Sequence, residues 1–291
     1  MTRFNPLISA DFKNIFFFFA LVTVMLYMPA PTRAGDRWSV STSLQSVNGN
    51  YMFESKSTSY YIYGGLKYQS SRWSASLTMP AIFRRDELVT LSGNMYLPTG
   101  QMHRLQDNGN GSWHLHGKTM MDSSQPMNFE MGLGDIYFRS DFLLRCEDSD
   151  RPAVSVNLQV KFPTADFQHG FGTGGLDYGM GLNFRKTSRL AILFLDIGYL
   201  VIGDPAGVEF IDPITFGAGV SKTVGHGKHS VMLYFQSYSE ILRGYKSPRQ
   251  LSLGYSYLVS RKLTFSFIAL AGLSETSPDF GLLFGSQYAL N

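Results

Sequence analysis

The chain has little cysteine, little charge and, beyond its first 34 residues, no long apolar run. Cys146 is the only cysteine among 291 residues, so an internal disulfide and a cysteine-based zinc site are both excluded. Charged residues make up 16% of the chain. No apolar run after Ala34 approaches the roughly 18 residues that a membrane-spanning helix requires, which excludes a polytopic helical transporter.

The residues that are abundant favour β structure. Aromatic residues make up 14% of the chain and glycine occurs 29 times, a mixture of strand formers and turn formers rather than helix formers. The formal net charge is +3, and it falls to about +1 once the leader described next is removed, so no nucleic-acid partner is expected.

The first 34 residues have the pattern of an export signal. Arg3 and Lys13 precede an apolar run of about 14 residues, Ile15–Met28, which is too short to span a bilayer as a helix. Thr32 and Ala34 suit cleavage after Ala34. We expect residues 1–34 to be a cleaved signal peptide, with an uncleaved anchor as the alternative, and residues 35–291 to form a single domain.

The mature chain alternates between apolar and polar residues with a period of two. From Val154 to Phe162 every second residue is apolar and those between are Ser, Asn, Gln and Lys, so a strand here has one apolar and one polar face. The same pattern or a similar one predicts twelve strands, which are Arg37–Gln45, Tyr60–Gln69, Arg72–Phe83, Gly132–Cys146, Pro152–Phe162, Leu176–Lys186, Leu190–Val201, Ile211–Thr223, His229–Glu240, Arg249–Ser260, Lys262–Leu273 and Asp279–Leu290.

Segments of this length and an even strand number predict an all-β fold, a closed antiparallel transmembrane β-barrel of about 12 strands. Short and longer connections alternate, which indicates an up-and-down meander with short periplasmic turns, longer outer loops and both termini periplasmic. The expected location is the outer membrane of a Gram-negative bacterium, in contact with its lipid. A soluble β-sandwich or a lipocalin-like barrel is the competing interpretation. The alternating strand Asp279–Leu290 is typical of the signal that the outer-membrane assembly machinery binds, although Asn291 stands where an aromatic residue is common.

Three motifs carry a resemblance to a known family. The stretches Gly132–Phe138 (GLGDIYF), Lys161–Asp166 (KFPTAD) and Gly172–Gly179 (GTGGLDYG) resemble, in order and spacing, the outer-membrane barrel family of transporters associated with the MetA pathway of phenol degradation. The resemblance is close from Gly132 to Phe184 and loose elsewhere, and residues 84–131 match no pattern of that family. It implies an outer-membrane protein that passes small, often hydrophobic or aromatic, compounds.

Strand parity directs a set of charged and aromatic side chains into the lumen. Charges at bilayer depth are expected inside a barrel rather than against lipid. The pore-lining candidates are Tyr61, Tyr63, Lys67, Asp135, Tyr137, Arg139, Asp141, Lys161, Asp177, Arg185 and Asp196. Four basic residues balance four acidic ones, which favours cross-strand ion pairs that fill or narrow the lumen. The alternative is a constriction of Asp135, Arg139, Asp141 and Lys161 that contacts a polar atom of the solute, while the tyrosines either contact an aromatic solute or pack beneath a loop.

The connection of residues 84–131 is unusually long, and such loops are commonly functional or disordered. We expect either a plug or lid in the lumen or a surface cover. His103, His114 and His116 lie in this loop, but without a nearby cysteine or carboxylate they predict no metal site, and no cofactor is expected.

Three functions remain open from the sequence. The first is a channel that passes small solutes by passive diffusion, and the second is a barrel with an occluded lumen and a structural or surface-interaction role. An outer-membrane lipid hydrolase is the third, but no histidine lies in a His-x-Ser arrangement on a strand, so an enzyme is not expected.

Overall fold

A computed structural model describes residues 36–51, 56–84, 89–92, 95–98, 130–167, 169–204 and 210–290. The predicted signal peptide and most of the long connection of residues 84–131 lie outside the described residues. Within them no helix is long and apolar enough to cross a membrane.

The described residues form strands joined by turns and loops. In chain order these are β1 (Arg37–Gly49), β2 (Ser57–Gln69), β3 (Trp73–Arg84), β4 (Val89–Ser92), β5 (Met95–Pro98), β6 (Glu130–Leu133), β7 (Ile136–Arg145), β8 (Ala153–Phe162), β9 (Asp177–Thr187), β10 (Ile192–Val201), β11 (Ile214–Val224), β12 (His229–Tyr238), β13 (Arg249–Leu258), β14 (Leu263–Gly272) and β15 (Phe280–Ala289).

Twelve of these strands close into a barrel. Each of β1–β3 and β7–β15 pairs antiparallel with a neighbour on both sides, in the order of the chain except where β3 meets β7. The ring closes where β1 pairs with β15, in a continuous register that runs from Ser39 opposite Ala289 to Asn48 opposite Phe280. The prediction of a closed antiparallel barrel of about 12 strands is confirmed.

The fourth predicted strand, Gly132–Cys146, is interrupted. Residues 81–84 of β3 pair with β6 and residues 73–78 pair with β7, so the ladder breaks at Pro80. Proline has no backbone N–H to donate, and the N–H of Gly134 instead donates to the carbonyl of Pro80 over 2.8 Å. The interruption lies beside Asp135, which is buried.

The two faces of the wall differ as the alternation predicts. Leu193, Leu195 and Ile197 on β10 are exposed, as are Leu253 and Tyr255 on β13, and they form part of an apolar outer surface. The residues between them, such as Asp196, point to the interior. Boundaries differ from the prediction by a few residues: β1 continues to Gly49, and β11 begins at Ile214 rather than Ile211.

The two ends of the barrel are unlike. We call the end that carries Asp36, Leu290 and the short turns the turn rim, and the opposite end the loop rim. At the loop rim the backbones of Gly175 and Gly203 pass so closely that a Cβ on Gly203 would lie 2.7 Å from the backbone nitrogen of Leu176. This approach allows the N–H of Gly203 to donate to Asp177 Oδ1 over 2.9 Å.

Replacement of Gly203 with Ala tests whether this close approach is required. We expect the substitution to destabilise the barrel by about 1–3 kcal/mol, because the clash is with backbone that has no freedom to rotate away. The measurement is the temperature at which the compact barrel converts to the unfolded form on a gel. Gly281→Ala is the control, since its Cβ would meet no atom closer than 3.5 Å, and equal midpoints for both variants would contradict the prediction.

Candidate functional site

The candidate site is the lumen, whose inward side chains fall into levels set by the strand register. In the level nearest the loop rim, Thr78, Tyr137, Lys161 and Asp177 lie on successive strands. The next level toward the turn rim holds Lys67, Ser76, Arg139 and Gln159. Below it come Ser74, Asp141 and Asn157, followed by Asn183 and Asp196.

A buried charge cluster lies at the loop-rim end of the lumen. Lys161 Nζ is 2.8 Å from Asp177 Oδ2 and 3.6 Å from Asp135 Oδ2, and each of the three side chains is at most 2% exposed. The ammonium group also donates to Thr173 Oγ1 over 2.5 Å. Lys161 thus forms ion pairs with both aspartates, so three of the eight predicted lumen charges belong to one cluster.

This cluster holds the loop of residues 163–176 against the inside of the wall. Asp135 Oδ1 accepts the backbone N–H of Ala165 over 2.9 Å, and Thr173, which contacts Lys161, lies in the same loop. Phe171 of the loop is also buried, with its ring against Gly132, where any Cβ would collide with it. The charges therefore fix a loop as well as two strands.

Arg84 makes a second attachment to the same loop, and sequence reasoning missed it. Its guanidinium group is 2% exposed, donates to the carbonyls of His169 and Gly170 over 2.5 Å and 2.8 Å, and lies 4.5 Å above the ring of Phe171. Glu130 on β6 is 3.7 Å away. The sequence prediction ends the third strand at Phe83 and places Arg84 in the long loop. A strand extended by one residue would have directed Arg84 into the lumen.

Among the described residues, Asp196 has neutral partners rather than a cation. Tyr234 Oη donates to its Oδ2 over 2.8 Å, and Asn183 Nδ2 donates to its Oδ1. Asn157 Nδ2 in turn donates to Asn183 Oδ1 over 2.9 Å, which continues the network across β8, β9 and β10. The ion-pair interpretation is therefore wrong for Asp196. The inward parity of Asn183 and Tyr234 is present in the sequence, but the predicted lining contained charged residues and three other tyrosines and neither of these two.

The remaining predicted charges form no ion pair with any described residue. Arg139 donates to Gln159 Oε1 over 3.3 Å, and Asp141 accepts from Ser74 Oγ over 3.3 Å. Lys67 shares the level of Arg139 and is separated from it by one strand, while Arg185 lies nearer the turn rim. Cross-strand ion pairing thus does not describe this part of the lumen.

Two cavities lie in series along the lumen. The first, about 170 Å³, reaches up to Lys161 and Asp177 and is lined by Tyr63 and Tyr137. The second, about 360 Å³, extends toward the turn rim past Asp196 and Tyr234. Three residues line both cavities, which are Arg139, Gln159 and Leu200. The hydrogen-bonded pair Arg139–Gln159 therefore marks the junction between the cavities.

The predicted tyrosines divide between the two expected roles. Tyr63 and Tyr137 line the first cavity, and Tyr63 Oη donates to Gln45 Oε1 over 2.7 Å. Tyr61, at 1% exposed, instead packs in a core cluster at the loop rim with Val47, Tyr96 and Phe171. Tyr61 lies 6.0 Å from Tyr63 between ring centroids, so the cluster lies directly beside the cavity.

The hairpin of β4 and β5 joins opposite sides of the loop rim. Tyr96 packs in the cluster of Val47, Tyr61 and Phe171, whereas its neighbour Met95 packs in a second cluster with Leu200, Phe210, Tyr238 and Ile241. These clusters belong to β1–β3 on one side and to β10–β12 on the other, which are far apart around the ring. Two adjacent residues therefore bridge the mouth of the barrel.

Within the described part of the chain, no group of three or more His, Cys, Asp and Glu residues could hold a metal ion. His169 Nδ1 lies 2.8 Å from Asp166 Oδ2 on an exposed loop, and His229 Nδ1 lies 2.8 Å from Tyr255 Oη. His103, His114 and His116 lie outside the described residues.

Comparison with known proteins gives a fold but no family. No protein-family model matches the chain, and no curated protein matches it, so the resemblance to the phenol-degradation transporters stays a prediction. Among solved structures, the chain is similar to the COG4313 outer membrane channel from Pseudomonas putida F1, with 9% identity, a TM-score of 0.59, and 90% of this chain and 100% of that chain covered.

A second solved structure, of the NanC porin, matches with 9% identity and a TM-score of 0.50, covering 86% of this chain and 98% of that chain. At such low identity the likeness concerns architecture alone. The chain has the fold of an outer-membrane β-barrel.

Proposed function

We propose that the protein is an outer-membrane channel through which small solutes, apolar or aromatic ones above all, pass by passive diffusion. The observation that carries this proposal is the pair of cavities that follow one another along the lumen and meet at Arg139 and Gln159. A barrel that served only as a scaffold would have no need of successive cavities along its axis.

The outer surface supports the placement in a membrane. Exposed leucine, isoleucine and phenylalanine side chains recur at alternate positions around the barrel, including Leu195, Leu233 and Phe267. Lipid cannot bond to backbone N–H and C=O groups, but the closed ladder leaves the wall without a free edge. The turn rim then faces the periplasm, where short turns are usual.

The lining of the cavities favours small solutes with an apolar or aromatic body. Tyr63 and Tyr137 contribute rings to the first cavity, and Tyr234 and Tyr238 contribute rings to the second. Such rings can stack against an aromatic solute, and the nearby hydroxyl, amide and guanidinium groups can bond to one polar atom on it. The volumes limit the solute to a small molecule.

A second candidate, a barrel with an occluded lumen and a structural or surface-interaction role, has its own support at the loop rim. Met95 and Tyr96 bridge the mouth, and the buried cluster of Lys161 holds the loop of residues 163–176 inside the wall. As a channel, the protein has this hairpin as its lid.

Conductance across a planar bilayer distinguishes the two candidates. We expect residues 35–291, refolded and inserted, to give small discrete current steps, and larger or more frequent steps after the connection of residues 84–131 is shortened, because the hairpin then no longer covers the mouth. Folding of both forms is checked by the heat-dependent shift on a gel. Silence from both folded forms would contradict the channel and favour the occluded barrel.

Arg139 is expected to control passage between the cavities. Replacement with Ala removes a long charged side chain from the junction and should raise the conductance about two-fold or more. Charged side chains at a constriction control which solutes and ions pass through a pore. The same variant should change the ratio of anion to cation permeability measured from reversal potentials, whereas Arg139→Lys should preserve most of that ratio.

The control is Arg185→Ala, which also removes an inward positive charge but lines neither cavity. Equal effects of the two alanine variants would show that overall lumen charge, rather than the junction, determines passage.

The buried cluster is expected to be essential for the loop that it holds. Lys161→Met leaves Asp135 and Asp177 without their shared cation, and breaking a buried ion pair in this way costs about 3–5 kcal/mol. We expect a lower urea midpoint and faster protease cleavage within residues 163–176. The triple variant Asp135→Asn, Lys161→Met and Asp177→Asn removes every charge and should recover much of the stability; no difference between the single and triple variants would contradict the role of the charges.

A further inference from the structure

The turn rim carries a strong excess of positive charge that the channel itself does not explain. Its basic residues outnumber the acidic ones Asp36, Glu147, Asp148 and Asp150 by more than two to one within the described residues. These basic residues are Arg37, Arg72, Arg145, Arg151, Lys186, Arg189, Lys222, Lys228, Arg261 and Lys262. At the loop rim acidic residues outnumber basic ones among the described residues, so the positive excess is a property of one end and not of the whole surface.

Most of this charge has no acidic partner. The only ion pair at the turn rim among the described residues joins Lys186 and Glu147 at 4.0 Å. We call six of the exposed basic residues the basic collar: Arg72, Arg189, Lys222, Lys228, Arg261 and Lys262.

Two of the four acidic residues of the turn rim accept backbone N–H groups. Glu147 accepts the N–H of Thr187 over 2.6 Å, and Asp148 accepts the N–H groups of Asp150 and Arg151 over 3.0 Å and 2.8 Å. These bonds hold the pKa of both carboxyl groups below the ordinary value. Asp148 is thus used within its own turn, and Glu147 bonds to the neighbouring turn at Thr187, so neither carboxylate has a hydrogen bond or ion pair to a residue of the collar.

Aromatic side chains lie on the outer wall directly beside the collar. The rings of Trp38 and Tyr68 are 5.1 Å apart and those of Tyr68 and Trp73 are 5.2 Å apart, which makes a continuous row next to Arg72. The other end of this row is separated from Lys262 only by the end of β15, because the N–H of Ala289 donates to the carbonyl of Lys262 and the N–H of the following Leu290 donates to the carbonyl of Trp38.

A second aromatic group lies farther around the same rim. The ring of His229 stacks 4.9 Å from Tyr257, and its Nδ1 is 2.8 Å from Tyr255 Oη. Lys222 and Lys228 flank this group, since Lys222 is opposite Val231 on β12 and Lys228 precedes His229. The collar and the aromatic residues therefore occur together in two separate sectors.

The two features together specify a ligand. Tryptophan and tyrosine on the outer wall of a barrel mark the boundary between hydrocarbon and headgroups. Cations one or two residues beyond that boundary lie at the depth of lipid phosphates, where each Lys or Arg is attracted to an anionic surface. Neutral or zwitterionic headgroups would leave the excess charge uncompensated.

We propose that the basic collar is a binding surface for the phosphate headgroups of anionic glycerophospholipids such as phosphatidylglycerol, in the leaflet at the turn rim. The proposal rests on the membrane placement in the proposed function. Bound lipid neutralises the collar, and the opposite sign of the loop rim then makes one orientation across the bilayer more favourable than the other.

Quenching of tryptophan fluorescence by brominated lipids tests the proposal, because Trp38 and Trp73 lie in the aromatic row. Trp113, the third tryptophan, is replaced with Phe to remove its signal. The full barrel is inserted in phosphatidylcholine vesicles that contain brominated phosphatidylglycerol or brominated phosphatidylcholine. We expect phosphatidylglycerol to bind beside the tryptophans about five-fold more strongly than phosphatidylcholine, and the preference to fall as salt is raised.

A triple variant of the collar, Arg72→Gln, Arg261→Gln and Lys262→Gln, should reduce that preference toward one. The matched control is Lys56→Gln, Arg243→Gln and Lys246→Gln, which removes three positive charges from the loop rim and should leave the preference unchanged. Equal loss in both triple variants would overturn the proposal, since total charge would then be the cause.

The outcomes separate this proposal from the proposed function. If the two brominated lipids quenched the tryptophans of the protein with its intact collar equally, the proposed lipid binding by the collar would be wrong, and the membrane placement would still stand. Absence of quenching by either lipid would contradict the placement itself. If unlabelled lipopolysaccharide displaced brominated phosphatidylglycerol better than unlabelled phosphatidylglycerol did, the collar would face the other leaflet and the proposal would be wrong.

Discussion

The structure depends on the closure of its sheet, where β1 pairs with β15. This ladder joins residues near the two ends of the chain, Ser39 and Ala289, and leaves neither edge strand unpaired. An open edge facing lipid would leave a row of backbone N–H and C=O groups without partners, each at a cost of several kcal/mol. Closure gives the alternation of apolar and polar residues its structural consequence. Along each strand, apolar side chains lie on the outer surface and the side chains between them face a common lumen.

The lumen that closure creates is not uniform. Toward the loop rim, Lys161 contacts two aspartates and Thr173 of a loop in a buried cluster. The hairpin residues Met95 and Tyr96 bridge the mouth of the barrel at the same end. Toward the turn rim, neutral donors surround Asp196, and the cavities widen beyond Arg139. A covered end and a polar, more open end suit the proposed channel, in which passage would be controlled near the loop rim and at the junction.

Charge is distributed along the same axis. The buried cluster carries one positive and two negative groups, whereas the unpaired inward cations Lys67 and Arg185 lie closer to the turn rim, where the basic collar begins. In the proposed membrane placement, the aromatic row beside the collar sets the depth of that rim in a bilayer. The same asymmetry then bears on both the proposed path of a solute and the proposed lipid contacts of the wall.

The sequence by itself determined the strand number, the inner and outer faces and the closed fold, because a period of two is a local property that every strand repeats. Only the tertiary structure determined which inward charged side chains form ion pairs. Lys161, Asp135 and Asp177 lie on three segments that only the register brings together, and the break at Pro80 that accompanies Asp135 depends on pairing between β3 and a distant strand. Parity gives the direction of a side chain but no distance. For that reason the neutral partners of Asp196, the attachment made by Arg84 and the bridge at Met95 and Tyr96 could not be read from the chain.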